Sequence, residues 1–136
     1  MAHLAPPEAQ PEKPIAALLA NANPDAGAEM ARKCASCHSF DEGGPNKVGP
    51  NLHGVVGAPK AAKPGFAYSE PLKAKGGVWT YEDLNAFLAR PGGFIPGTKM
   101  AFAGLSNGED RANVIAYLRR QSPAAAPLPA PQAPPR

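Results

Sequence analysis

The chain has 136 residues, with 14 Lys/Arg against 11 Asp/Glu, 18 prolines and 2 cysteines. That length holds one domain at most. The formal net charge of +3 is too small and too dispersed to point to nucleic acid, though it suits docking on acidic protein surfaces. No apolar run reaches the ~18 residues that a membrane-spanning helix needs.

The prolines gather toward the two ends, in stretches such as Ala5-Pro6-Pro7 and Pro127-Leu128-Pro129-Ala130-Pro131. Pro/Ala-rich tracts of this kind form extended, poorly packed spacers. The expected organisation is a largely disordered spacer over residues 1–23, a folded domain over 24–122 and a Pro/Ala-rich tail over 123–136. The basic excess lies in the domain, where 12 Lys/Arg face 9 Asp/Glu. A domain this short buries a modest apolar surface, so a covalent staple would help it. Ile15 to Ala20 is too short to cross a bilayer or to serve as the apolar part of an export signal.

Asn23-Pro24-Asp25 opens a helix expected over residues 25–37: Asn caps it, Pro takes the first helical position and an acid follows in the first turn. Ala26, Met30 and Ala31 supply apolar positions beside Glu29, Arg32 and Lys33. Gly27 costs about 1 kcal/mol relative to alanine inside a helix, a cost that a closely crossing helix would explain. Met30 reads as core filler.

This helix delivers Cys34-Ala35-Ser36-Cys37-His38. Two thiols two residues apart, with an imidazole directly after the second, form the attachment signature of a c-type haem. On one helical turn both sulfurs share a face and reach the two vinyl groups along one side of a porphyrin. His38, beside the second thioether, then comes under the iron. The pentapeptide alone also admits a thioredoxin-like redox pair, half of a zinc site or a structural disulfide. Zinc lacks a second cysteine pair, and His3 and His53 sit in unlike contexts.

Residues 39–65 are dense in Gly, Pro, Asn and Lys, with turns expected at Gly43-Gly44-Pro45-Asn46 and Gly57-Ala58-Pro59. So long an irregular stretch in a compact domain implies that it wraps something functional. Three further helices follow. Ser69 caps a short one through Leu72 to Lys75. Thr80-Tyr81-Glu82-Asp83 resembles a capping box and leads into the Leu84, Phe87, Leu88 stripe. Ser106-Asn107-Gly108-Glu109 is a second capping box, opening a helix with Val114, Ile115, Tyr117 and Leu118 apolar and Arg119-Arg120 at its end; Pro123 stops it. No alternating strand pattern appears, so the βαβ context of a thioredoxin pair is missing and the domain reads as all-α with long loops.

Over nearly all of residues 25–121 the chain resembles class I cytochrome c, the mitochondrial and bacterial c2-like group. The resemblance is carried by Cys34–His38, Gly49-Pro50-Asn51-Leu52-His53-Gly54, Gly65-Phe66-Ala67-Tyr68, Trp79, Phe94-Ile95-Pro96-Gly97-Thr98-Lys99-Met100-Ala101-Phe102 and Ile115-Ala116-Tyr117-Leu118. It implies four to five helices and long loops around one haem c, held covalently through Cys34 and Cys37. It further implies His38 and Met100 as the axial iron ligands, a pairing that raises the potential and suits electron transfer. By the same resemblance Pro50 accepts the His38 N–H, a bond that fixes a ligand imidazole's tautomer. Tyr68 and Trp79 then face one propionate, Thr98 the other, and Phe102 stands by the exposed haem edge. His53 is structural. Gly27 and Tyr117 mark the crossing of the first and last helices, with Ala26 as the alternative small residue.

The chain departs from the family where equal spacing puts Ala58 at the propionate-binding arginine, Leu72 at the haem-facing asparagine and Phe87 at the tyrosine near the Met sulfur. Losing the arginine lowers the potential, and losing the tyrosine hydroxyl tends to raise it. The lysine ring is thin, with Lys33, Lys47 and Lys99 as its candidates. Phe40 to Pro50 and Pro11-Glu12-Lys13-Pro14 look most like bacterial membrane-anchored cytochrome c552.

The function this implies is that of a monomeric one-electron carrier and not an enzyme. It would pass electrons from a bc1-type complex to a cytochrome c oxidase, in a respiratory or photosynthetic membrane system. The place implied is the periplasmic side of a bacterial inner membrane, anchored there or, as the alternative, soluble. Haem attachment outside the cytoplasm needs an export signal, so the chain is expected to be a mature or trimmed form. The rival is a peroxidase-like haem enzyme or gas sensor with an open axial site.

Overall fold

A computed structural model describes residues 14–47, 49–63, 66–96, 102, 104–123 and 125. Six α-helices occur among them: α1 (Ile15–Leu19), α2 (Pro24–Met30), α3 (Glu70–Lys75), α4 (Tyr81–Ala89), α5 (Pro91–Phe94) and α6 (Gly108–Arg120). The β structure among the described residues amounts to an isolated bridge between Pro59 and Val78, so the all-α expectation holds.

Local chemistry sets the helix starts. Asn23 accepts from the Asp25 and Ala26 amides at α2, Ser69 from Leu72 at α3 and Thr80 from Asp83 at α4, each satisfying donors that the first turn leaves unpaired. At α6 the cap is Asn107 and not Ser106: its side chain reaches the Glu109 and Asp110 amides at 2.8 and 3.2 Å. The first helix is also shorter than its expected span of 25–37. After Met30 it tightens into a 3-10 turn, Ala31–Lys33, and a further turn carries the cysteines, with His38 N–H donating to the Cys34 carbonyl at 2.8 Å.

The core gathers Leu84 and Leu88 of α4 and Val114, Ile115 and Leu118 of α6, with Val56, Trp79 and Ile95 from the connecting segments. Across it α2 packs on α6. Gly27 is buried at that crossing, where an added Cβ would overlap the Asn113 backbone carbonyl. The small residue required is therefore Gly27, and Ala26 is exposed. Asn113 also accepts the Asn23 N–H at 2.8 Å, and Tyr117 stacks edge-on against Phe40 at 5.4 Å. The Asp25–Arg120 pair at 2.9 Å lies on the surface and adds little.

Within the expected spacer over 1–23, the described residues 14–23 include a packed helix. Ile15, Ala16 and Leu19 are buried, and α1 packs against α6 and α4. The five-residue segment Ile-Ala-Ala-Leu-Leu is too short to be stable as a helix alone; its apolar face is satisfied by tertiary contact.

Arg111 is a second feature that periodicity did not reveal. It is only 2% exposed, donating from Nε to Asn85 Oδ1 at 2.7 Å and from Nη1 to the Leu105 carbonyl at 2.6 Å. It thereby ties α4 and the segment before α6 to the last helix. Arg111→Met is expected to destabilise the domain by about 2–4 kcal/mol, because it removes two charge-assisted bonds and leaves partly buried acceptors without their partner. Denaturant midpoints of variant and parent check this.

Candidate cofactor site

Between the cysteine turn, the long loop, α3, α4 and α6 lies a cavity of about 580 Å³, in the range of small-molecule and cofactor sites. Its wall is mostly apolar, and Cys34, Cys37, His38, Pro50, Tyr68, Trp79 and Phe102 all contribute to it. These seven candidates, spread in sequence from Cys34 to Phe102, meet in one place. Thr98 and Met100 lie outside the described residues, as does Lys99. Ala58, Leu72 and Phe87, the departures noted from sequence, line the same cavity. His53 and Met30 do not line it; Met30 packs against the core.

His38 is held on two sides. Its Nδ1 lies 2.7 Å from the Pro50 carbonyl, which can only accept, so Nδ1 carries the proton and Nε2 presents a lone pair. Gly49 packs against the ring so closely that a Cβ would overlap it. Burial lowers the proton affinity of the imidazole, with the Pro50 bond opposing. The neutral ring is the form that ligates a metal. Burial also raises the Cys34 thiol, helped by Cys37 and opposed by Lys33. The two cysteines form no disulfide. No group of three or more His, Cys, Asp or Glu side chains able to hold a metal occurs among the described residues.

The loop that carries this wall is ordered by polar bonds. Asn51, 5% exposed, donates to Ser39 Oγ at 2.8 Å and to the Asp41 carbonyl at 2.9 Å, and its own amide donates to Asn46 Oδ1 at 3.0 Å. Gly49 N–H reaches the Cys37 carbonyl at 2.7 Å and Leu52 N–H the Ser39 carbonyl at 2.8 Å. The sequence signal for this lattice was only the density of Asn and Gly.

At the end away from the cysteines, Tyr68 accepts the Lys63 backbone N–H at 2.9 Å. That leaves the phenol proton for a group in the cavity, and burial raises the Tyr68 pKa, keeping that proton in place. Trp79 stacks edge-on with Phe87 at 5.2 Å. Lys60 sits 5.1 Å from the Trp79 ring centre, its side chain 3% exposed and its ammonium paired with Asp83 at 2.7 Å. The Lys63 ammonium donates to the His53 carbonyl at 2.6 Å and to Asn51 Oδ1 at 3.1 Å.

A covalently held porphyrin fits these walls: paired thiols on one turn, an oriented imidazole beside them, a greasy slot and polar donors at the far end. Two thirds or more of the chain, residues 24–122, match the sequence model of the cytochrome c family, and the chain belongs to that family. It is 52% identical over 118 residues to a cytochrome c homolog of Bradyrhizobium diazoefficiens, covering 86% of this chain and 64% of that protein. A cytochrome c homolog of Rickettsia bellii is 48% identical over 115 residues, 83% of this chain and 66% of that protein. Cytochrome c-550 of Ancylobacter novellus is 46% identical over 99 residues, 71% of this chain and 92% of that protein. The chain thus spans less than two thirds of the length of the first two. Its cofactor is haem c, attached through Cys34 and Cys37.

Proposed function

We propose that the chain is a one-electron carrier between membrane redox complexes, taking electrons from a bc1-type donor and passing them to a cytochrome c oxidase. The observation that carries this reading is the His38 imidazole, locked by Pro50 and Gly49 with Nε2 free, on the wall of an apolar cavity that also bears both thiols. Bound haem c supplies the Fe(III)/Fe(II) couple. In this reading Cys34 and Cys37 would hold the macrocycle, and His38 and Met100 would ligate its iron, a donor pair that suits electron transfer. Tyr68, Trp79 and Thr98 would offer donors to its carboxylates, and Phe102 would stand by its exposed edge.

Lys33 lines the cavity and Lys47 donates to the Ala35 carbonyl at 3.1 Å, so two cations lie beside the cysteine turn. They support weak, fast docking on an acidic surface. The native setting in this reading is the periplasmic face of a bacterial inner membrane, with a tether ahead of the haem domain. The Pro11-Glu12-Lys13-Pro14 sequence supports the tether. No helix among the described residues is long and apolar enough to cross a membrane.

The reaction with an isolated bc1-type complex tests the electrostatic part. Between about 0.01 and 0.15 M salt the Debye length falls from roughly 30 to 8 Å. The second-order reduction rate is expected to fall by about tenfold over that span, the low end of the steering range. A salt-independent rate removes acidic-partner docking. Rapid carbon monoxide binding by the reduced protein at neutral pH replaces the carrier reading with that of an open-site haem enzyme or sensor.

A further inference from the structure

We propose that Lys63 supplies the positive charge that balances a haem carboxylate at the Tyr68 end of the cavity, in place of the cation absent at Ala58. A porphyrin tethered through its vinyl side directs its two propionates away from the cysteines. Burying a carboxylate without a partner is costly. Among the described residues the cavity wall holds two ammonium groups, Lys33 and Lys63, and no Asp or Glu. Lys33 directly precedes Cys34 and belongs to the thiol wall. Lys63 joins the Tyr68 end through its backbone N–H, which is bonded to the Tyr68 hydroxyl, and its ammonium lies by Asn51 and His53.

The surroundings of Lys63 suit this role. Its side chain is half-buried, and its ammonium is held by two neutral acceptors, the His53 carbonyl and Asn51 Oδ1. An ammonium has three N–H donors, so one remains. Neighbouring lysines are already committed: Lys60 to Asp83 at 2.7 Å and Lys73 to Glu70. Lys63 has no carboxylate partner among the described residues, so its charge is positioned by the protein yet uncompensated. A haem propionate completes it.

The placement also has a redox sense. A fixed cation near the cofactor opposes the extra positive charge of ferric iron, so Lys63 raises the potential and offsets the loss expected from Ala58. The inference rests on haem c filling this cavity; Soret absorbance and the covalent mass gain of each variant report that separately.

The test compares Lys63→Met, Lys63→Arg and, as a control for loss of a remote cation, Lys73→Met, all as the haem-loaded protein. Lys63→Met is expected to shift the one-electron equilibrium toward ferric by up to about tenfold, which is ~59 mV for a one-electron couple, and to move the propionate methylene resonances. Lys63→Arg and Lys73→Met keep the parent potential within a small fraction of that shift. If Lys63→Met lowers thermal stability while potential and propionate resonances stay in place, Lys63 is only a strut between Asn51 and His53 and the proposal falls. A potential shift of equal size in Lys73→Met reduces the effect to net charge and also overturns it.

Discussion

Gly27→Ala is expected to destabilise the domain by about 2–4 kcal/mol and to lower its melting temperature by roughly 10–25 °C. The new methyl has no space, because its position overlaps the backbone carbonyl of Asn113, and a helix carbonyl cannot swing aside as a side-chain tip could. The helices α2 and α6 must part, loosening the Asn23–Asn113 bond at 2.8 Å and the Phe40–Tyr117 contact. Alanine's better helix propensity returns only about 1 kcal/mol. Ala26→Gly is the control: it is exposed, so it should cost about 1 kcal/mol through propensity alone. Thermal unfolding of the two haem-loaded variants decides the matter, and a Gly27→Ala protein as stable as the parent contradicts the close crossing.

Met100→Ala is expected to abolish the weak sulfur-to-iron band at the red end of the ferric spectrum and to open the ferrous protein to carbon monoxide. Loss of the soft thioether, which favours ferrous iron, also lowers the midpoint potential, within the roughly 0.8 V that axial ligation spans. Covalent attachment through Cys34 and Cys37 should survive, so the preparation stays coloured. Persistence of the band would assign the second axial position to another donor. Met100 lies outside the described residues, which makes the spectroscopic result the direct evidence on its role.

What the chain disclosed before folding was its local chemistry. Asn23, Ser69 and Thr80 are caps because their side chains reach amides two or three residues ahead, a range at which sequence and contact are nearly the same thing. The Cys34–His38 turn is legible for the same reason. Asn107 displaced Ser106 as a cap by a single residue, since two adjacent good capping side chains give no local basis for choosing. Arg111 meets Asn85 across 26 positions, and Lys63 meets Asn51 across 12. Neither pairing has a periodic signature, because both are set by how the long loop and α4 settle against α6. Segment α1 stayed hidden on similar grounds: prolines flank it on one side, and its partners in α4 and α6 begin 66 and 93 positions downstream of Ile15. The cavity wall combines both cases. Its motif-bearing residues could be named one by one, while the cation at its far end came into view only with the fold.

The burial of α1 has a mechanical meaning. Ile15 and Leu19 are held beside α4 and α6, so tension applied ahead of Pro14 would reach them first. Those two side chains, each contributing about 1.5–3 kcal/mol of transfer free energy, act as a cable clamp upstream of Asn23. A pull on the chain ahead of Pro14 would have to strip these two side chains from the core before it reached the turn that carries Cys34 and His38.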